Sequence, residues 1–350
     1  MVMIKHLLIL LLSLISLAVP SMAQVVTVGK AIEKTVREKH DSSFMTIIDS
    51  WSRYVETHSK AQESTAEMWV NRDTARFLAS YNGKTEKHYD HEIFRIDSYG
   101  NGEYGFSVKA VHRGKAARKT YGLRSINYYM YALETEEGIK FMAPLDYGVY
   151  NDIIIRKTCG HIDFYFPHDF RIDETGMIQC SEFIDSLVSM FGLEEVRQIN
   201  YVISENYASS KLIAGILMHD DGRSSGVSAE FVYPDTILAG RICHKHELTH
   251  SVLYQHYPDA HRLIHEGLAI YLDTDAAGKY RIEDYMGKIK RIKDADDLSA
   301  LLQTDSGLYY SIARHIIKTV FETEGIKAIS DILKMKTDDE IYGLFSKIFE

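Results

Sequence analysis

The spacing of apolar residues changes along this chain of 350 residues, and the change limits the folds it can adopt. Alternation of apolar and polar residues, typical of strands, recurs up to Val232 among helical segments. After Arg241, apolar residues recur at three- and four-residue steps, as in amphipathic helices. We therefore predict an α+β protein whose C-terminal half is helical, and the length favours about two domains.

The first domain is predicted over residues 24–155 as a small α+β unit. Apolar residues recur at helical spacing over 42–57, so this segment is predicted to be a helix. Four stretches rich in aromatic and β-branched residues then predict strands, at 92–99, 104–112, 121–133 and 138–143. Helices followed by a curved antiparallel sheet resemble, in element order, the cone-shaped fold of the nuclear-transport-factor type.

The first 23 residues have the pattern of an export signal. An apolar stretch at 7–19 is followed by Pro20 and by small residues up to Ala23. This stretch is shorter than the roughly 20 residues that a membrane-spanning helix needs, although an uncleaved N-terminal anchor is the alternative. We therefore expect a mature protein that begins at Gln24, is periplasmic or secreted, and has no integral membrane segment.

Charge and composition exclude several classes of protein. The net charge of −9 provides no general basic surface, so we expect no nucleic-acid partner. Three cysteines are too few for a disulfide-rich scaffold. In an oxidising compartment Cys159 and Cys180, which flank a predicted strand, are one possible disulfide pair, and buried free thiols are the alternative. The oligomeric state is not predictable from these features.

The pattern that carries chemistry is His246-Glu247-Leu248-Thr249-His250. Residues four apart lie on one face of a helix, so His246 and His250 can offer imidazole nitrogens to one metal ion. Two imidazoles and a carboxylate suit Zn²⁺, and Glu247 is placed to act as a general base. Tyr257 and Pro258 are predicted to end this helix.

A catalytic zinc site needs a third protein ligand. Glu266 is the candidate that we favour, because it lies on a predicted second helix after the turn at Pro258. Gly267 and Ala269 are small, so this helix is expected to approach the first one closely. His256 is the competing ligand, but Leu253 stands where a glycine would be needed to turn the chain inward. If the helix continues, His256 faces away from His250.

The segments HELTH and HEGLAIYL together resemble the gluzincin, or peptidase MA, group of zinc metallopeptidases. The match includes Glu266, Gly267, Ala269 and Tyr271, and the resemblance extends over roughly 160–335. It implies a zincin-like domain at 156–350, with one Zn²⁺ held by His246, His250 and Glu266. The expected activity is hydrolysis of a peptide or protein substrate. The spacing is shorter than in the aminopeptidases of the group, and no exopeptidase motif is present.

The resemblance also implies roles for other residues. Glu247 is expected to exchange protons with water and with the leaving amine. Tyr310 or Tyr309 is expected to donate a hydrogen bond to the developing oxyanion, with a core position as the alternative. Asp273 or Asp275 is a candidate for orienting a ligand histidine. The strand predicted at 227–232 is expected at a sheet edge, where an extended peptide can add as a further strand.

Two other interpretations remain open from the sequence. One is a binding or scaffold protein that carries an inactive metallopeptidase-like domain, because the first domain is large and no specificity motif is present. The other is a pair of structural helices that binds no metal.

Overall fold

The computed structural model describes residues 26–30, 32–34, 42–58, 67–70, 89–112, 125–219, 229–232, 235–273 and 279–349. The predicted export signal at 1–23 and the candidate Asp275 lie outside the described residues. Among the residues that are described, no helix is long and apolar enough to cross a membrane.

The strands of the described residues form two mixed sheets. In chain order they are β1 Val26–Val28, β2 Tyr89–Gly100, β3 Glu103–His112, β4 Ser125–Thr135, β5 Gly138–Met142, β6 Ile154–Cys159, β7 Ile162–Pro167, β8 Ile199–Ile203, β9 Ile216–His219, β10 Ala229–Val232 and β11 Thr236–Ala239.

Helices dominate the C-terminal region, as predicted. In chain order the helices are α1 Ser42–His58, α2 Pro144–Tyr150, α3 Glu174–Phe191, α4 Tyr207–Ile213, α5 Lys245–His256, α6 Arg262–Leu272, α7 Met286–Ile289, α8 Ala295–Thr304, α9 Ser306–Glu324, α10 Ile326–Ile332 and α11 Asp338–Phe349. A 3₁₀ turn at Ile282–Tyr285 precedes α7.

The backbone divides into two compact units. The first contains the described residues up to Met142 together with 218–219, and the second contains the others. The boundary expected at 155–156 falls inside β6, which pairs antiparallel with β7 in the sheet of the second unit. The strands before Met142 that are rich in aromatic residues thus belong to one sheet. Strand β6, which follows Met142, belongs to the other.

The first unit packs α1 and a sheet around an aromatic core. Strands β1 to β5 lie in chain order, antiparallel except for the parallel pair of β1 and β2, and β9 pairs with β4. Trp51 of α1 contacts Phe106 and Phe141 edge-on, at ring-centroid distances of 5.4 and 5.3 Å. The helical spacing of apolar residues in α1 thus places its large side chains on the sheet.

The second sheet has the order β10, β11, β8, β7, β6. Strands β11, β8 and β7 are parallel neighbours, and the antiparallel strands β10 and β6 form the two edges. The expectation of an edge strand over 227–232 is confirmed for Ala229–Val232. Strand β11 was not predicted from the sequence, because its four buried residues, TILA, show no alternation.

Local sequence signals set the ends of the long helices around the second sheet. The side chain of Asp173 accepts a hydrogen bond from the Thr175 N–H at the start of α3, and Gly192 ends that helix with a φ of 61°. Asp305 caps the start of α9 by accepting from the Leu308 N–H. These caps fix where α3 and α9 begin and where α3 ends.

Helix α6 lies against α9 at very short range. A Cβ atom on Gly267 would be 2.5 Å from the carbonyl oxygen of Ala313, so a side chain at this position has no space. The close approach expected from Gly267 therefore exists, but its partner at this residue is α9 rather than α5. This contact fixes the position of α6 and of Glu266, the next residue toward its N-terminus.

Candidate metal centre

Helix α5 brings two histidines to one point. The helix begins at Lys245 and ends at His256, before Tyr257 and Pro258, as the sequence predicts. The Nε2 atoms of His246 and His250 are 3.1 Å apart, because a step of four residues is about one helical turn. His250 is buried and the His246 side chain is 18% exposed, so one side of the pair faces the solvent.

Glu266 completes the group from α6. Its Oε2 atom lies 3.4 Å from Nε2 of His246 and 3.5 Å from Nε2 of His250. The other oxygen, Oε1, lies 3.7 Å from Nε of Arg262, one turn earlier on the same helix. Among the described residues, these three side chains are the one group of His, Cys, Asp or Glu that converges closely enough to hold a metal ion.

The distances within this group fit zinc. Ligand distances of about 2.0–2.1 Å and tetrahedral angles place neighbouring ligand atoms about 3.3 Å apart. The three separations observed here run from 3.1 to 3.5 Å. Two imidazole nitrogens and one carboxylate oxygen also match the ligand types that zinc takes. The donor types and their separations are therefore compatible with one Zn²⁺ ion.

The charges in the group stabilise one another. Burial alone would lower the pKa of His246, but the hydrogen bond to Glu266 and the nearby carboxylates raise it above its ordinary value. Burial alone would raise the pKa of Glu266, but hydrogen bonds from both histidines hold it well below its ordinary value. Glu266 is therefore an anion at neutral pH, which is the form that binds a cation.

Glu247 lies beside the pair, in contact with the edge strand. Its side chain is buried, and Oε2 accepts a hydrogen bond of 2.8 Å from the backbone N–H of Phe231 in β10. Burial raises the pKa of Glu247, against the opposing effects of His250, His246 and the Phe231 hydrogen bond. A carboxylate with a raised pKa is better matched to proton transfer near neutral pH.

Two tyrosines of α9 lie close to the site. The rings of Tyr309 and Tyr310 have centroids 5.3 Å apart, and Tyr310 packs on Tyr280 at 5.1 Å. Burial and the charge of Glu266 raise the pKa of both α9 tyrosines, so both stay protonated and able to donate. The charge of Glu247 also contributes, as the smallest of the named causes, to the raised pKa of Tyr310.

The hydroxyl group of Tyr309 is buried and has no hydrogen-bond partner among the described residues. Its ring packs near Arg262, whose guanidinium carbon lies 5.9 Å from the ring centroid. The Tyr309 hydroxyl group is therefore a donor with no partner among the described residues, and the charge of Glu247 acts on Tyr310.

The structure does not bring His256 into the group. Helix α5 continues through His256, so this residue faces away from His250, as expected if the chain has no turn at Leu253. Asp273 is buried at the end of α6, and its charge contributes to the raised pKa of His246. The Nδ1 atom of His250 has no hydrogen-bond partner, and hence no orienting acid, among the described residues.

A stack of aromatic side chains lies behind His250. His265 is fully buried, its Nε2 lies 2.9 Å from the carbonyl oxygen of Tyr257, and its ring stacks on Tyr254 at 4.0 Å. Tyr254 in turn stacks on Phe231 at 5.5 Å. Burial lowers the pKa of His265 to about 4, so this histidine is neutral at physiological pH. This stack links α6, α5 and the edge strand around the candidate site.

Sequence reasoning missed several of these contacts. Arg262 stands four residues before Glu266, and Tyr254 four residues after His250, so helical spacing could have indicated both. The hydrogen bond from Phe231 to Glu247 involves the backbone, and Tyr280 meets Tyr310 only through the tertiary fold. These two contacts leave no local signal in the sequence.

No family model, curated protein or solved structure matches this chain. What supports a function is the site itself, namely three converging ligand atoms, a buried carboxylate beside them and an edge strand in contact with that carboxylate.

Proposed function

We propose that this chain is an exported zinc metallopeptidase of the gluzincin type, which hydrolyses peptide bonds with water activated by Glu247. One observation carries the proposal. Two imidazole nitrogens of α5 and a carboxylate oxygen of α6 converge within 3.5 Å, next to a buried glutamate that follows the first histidine. The proposed fold of the second unit is zincin-like, and that of the first is a cone of the nuclear-transport-factor type.

His246, His250 and Glu266 would hold the zinc ion. A zinc ion there would supply a Lewis acid that polarises the scissile carbonyl group and lowers the pKa of water to about 7. The positions of the three side chains follow from the helical step in α5 and from the packing of Gly267 against α9. The chain would thus provide three ligands to the ion.

Glu247 would act as the general base and then as the general acid. Its carboxylate takes a proton from the attacking water and delivers it to the nitrogen of the leaving amine. The hydrogen bond from Phe231 fixes the orientation of the carboxylate, and burial keeps its pKa raised. The base is therefore held in place before a substrate binds.

Tyr310 is the favoured donor to the oxyanion. Its phenolic O–H would donate to the developing negative charge on the carbonyl oxygen. The raised pKa of the phenol keeps this proton available, and the charge of Glu247 contributes to the shift. Tyr309 is the alternative donor, because its hydroxyl group has no partner among the described residues.

The substrate would bind as an extended peptide along β10. This strand is an edge of the second sheet, and Phe231 within it contacts the proposed base. A peptide added to this edge gains main-chain hydrogen bonds without a fixed side-chain sequence. Its scissile bond would then lie near Glu247.

The substitution Glu247→Gln tests the proposal. It keeps the size of the side chain but removes the base, so we expect kcat/KM on a mixed peptide library to fall by about 10³-fold or more. Zinc content should stay unchanged, because Glu247 is not one of the three ligands. The exposed Glu322→Gln on α9 is the matched control and should keep full activity. Equal activity of the Glu247 variant and the unmodified protein would reject the assigned base, and no turnover by the unmodified protein would favour an inactive scaffold.

A further inference from the structure

Two cysteines of the second unit are in direct contact beside the start of α5. All three cysteines of the chain are free thiols in the structure. Cys180 is fully buried on α3, and the half-buried Cys243 packs against the same apolar core, with its thiol group within hydrogen-bonding reach of Cys180. The pair considered from the sequence was Cys159 with Cys180, but the thiol group within reach of Cys180 is that of Cys243.

Contacts on both sides fix this pair. Near the start of α3, a Cβ atom on Gly176 would lie 2.5 Å from Cγ2 of Ile242. Further along the same helix, the Nζ atom of Lys245 lies 5.5 Å from the ring centroid of Phe183. Residues 176, 180 and 183 share one face of α3, because they are separated by four and three residues. Cys180 is therefore held opposite Cys243.

The backbone at Cys243 is also held in place. Its φ of 54° lies in the left-handed region, which is unfavourable for a residue with a Cβ atom. The hydroxyl group of Tyr201 accepts a hydrogen bond of 3.1 Å from the His244 N–H and donates one of 2.8 Å to the Arg241 carbonyl oxygen. These bonds bracket Cys243, so the turn that presents its sulfur is fixed from both ends.

We propose that Cys180 and Cys243 form a disulfide bond when the protein meets a small disulfide oxidant, and that Cys159 remains a thiol. The proposal does not depend on the peptidase activity. A contact between two thiols in a fixed turn is a suitable starting arrangement, because a disulfide requires both sulfurs on facing side chains.

The bond would form by thiol–disulfide exchange with an oxidant such as oxidised glutathione. The thiolate of Cys243, the more exposed residue, attacks one sulfur of the oxidant and releases its other half as a thiol. Cys180 loses its proton and attacks the Cys243 sulfur, which releases the second half. The two cysteines lose two electrons and two protons, and the oxidant becomes two thiols.

The surroundings of Cys243 favour the attacking form. The hydrogen bond from Cys180 and the charges of Lys245 and Arg241 lower the pKa of Cys243, against the opposing effect of burial. The bond would tie α3 to the residue that precedes His244 and α5. It would thereby restrict the unfolded chain and stabilise the turn that leads into α5.

Mass spectrometry of the full chain tests the pairing. The protein is equilibrated with oxidised glutathione, quenched in acid, denatured, alkylated and digested without reduction. We expect one linked pair of peptides that contain Cys180 and Cys243, with alkylated Cys159. Three alkylated cysteines, a stable glutathione adduct on Cys243, or a linked pair that contains Cys159 would overturn the proposal.

Variants separate the disulfide from a loss of folding. Cys159→Ser should still form the link, and its unfolding midpoint should be roughly 5–10 °C higher in the oxidised form than after reduction. Cys180→Ser should lose both the link and this response to reductant. An equal midpoint of oxidised and reduced Cys159→Ser would contradict the proposal even if Cys180→Ser does not fold.

Discussion

The two units of the molecule use their buried space differently. Among the described residues, the core of the first unit consists of aromatic and aliphatic side chains, with Ser50, His91 and Ser107 as its buried polar residues. The second unit buries Glu247, His250 and other ionisable groups. Burial of an ionisable group is costly unless it is paired, so such groups gathered at one point indicate a functional site. The comparison separates a core that stabilises its unit from a core that also holds reactive groups.

The largest expected effect is a loss of stability when the aromatic core of the first unit is disrupted. Trp51→Ala removes a side chain that contacts Tyr54, Phe106 and Phe141, so we expect a loss of about 3–5 kcal/mol in the free energy of unfolding. Urea unfolding followed by fluorescence measures this loss. Met45→Ala, an exposed position on the same helix, should change little. Zinc content should be unchanged in both variants. Loss of zinc in Trp51→Ala alone would contradict the view that the first core serves only the stability of its own unit.

The next effect concerns the site in the second unit. Tyr310→Phe removes the proposed oxyanion donor and keeps the ring, so we expect kcat/KM to fall by about 10²–10³-fold, mainly through kcat. Zinc content and the unfolding midpoint should stay the same. Tyr309→Phe is the matched control and should have the smaller effect. The reverse order of the two variants would assign the donor to Tyr309 instead.

The smallest expected effect is a loss of stability at acid pH that comes from a buried histidine of the second unit. His265 has a pKa lowered to about 4 by burial, whereas the unfolded chain has the ordinary value of about 6.5. The unfolded state therefore binds a proton first as the pH falls below 6.5, and stability decreases until about pH 4. The loss should reach about 2 kcal/mol at pH 5.

His265→Gln removes this titration and keeps an N–H group for the Tyr257 carbonyl oxygen. Its stability should decrease less than that of the unmodified protein between pH 7 and pH 5, as measured by urea unfolding at each pH. Parallel curves for the two proteins would show that His265 is not buried in its neutral form.

Much of the fold follows from local patterns in the sequence. The helical spacing over 42–57 predicts α1 to within a residue, and strands β2, β3 and β5 appear where aromatic and β-branched residues cluster. Residues 125–133 of the strand predicted at 121–133 lie in β4, and 121–124 lie outside the described residues. The α+β class and the helical C-terminal region follow from the same patterns.

Other elements could not be predicted, for physical reasons. Strand β11 is a short buried run without alternation, and β6 lies across the expected boundary at 155–156. Its place in the second sheet depends on pairing with β7, which is a tertiary property.

The contacts of the site also fall into those that local spacing predicts and those that depend on the tertiary fold. The step of four residues between His246 and His250 is a local property of a helix, so their convergence was predictable. Glu266 was a reasonable third member because helical hairpins bring such residues together. Other contacts arise between distant segments, and no local spacing indicates them. They are the contact of Gly267 with α9, the hydrogen bond from Phe231 to Glu247 and the proximity of Cys180 to Cys243.

The most direct test of the central claim is the zinc content of the full chain after dialysis against metal-free buffer. We expect about one zinc ion per chain for the unmodified protein, and the same for the control Glu322→Ala. Zinc affinities of about 10–16 kcal/mol shared among four ligands give roughly 2.5–4 kcal/mol for each one, so Glu266→Ala should lose most of its zinc in the same dialysis. An unmodified protein without zinc, or a Glu266→Ala variant that retains a full equivalent, would contradict the three-ligand site.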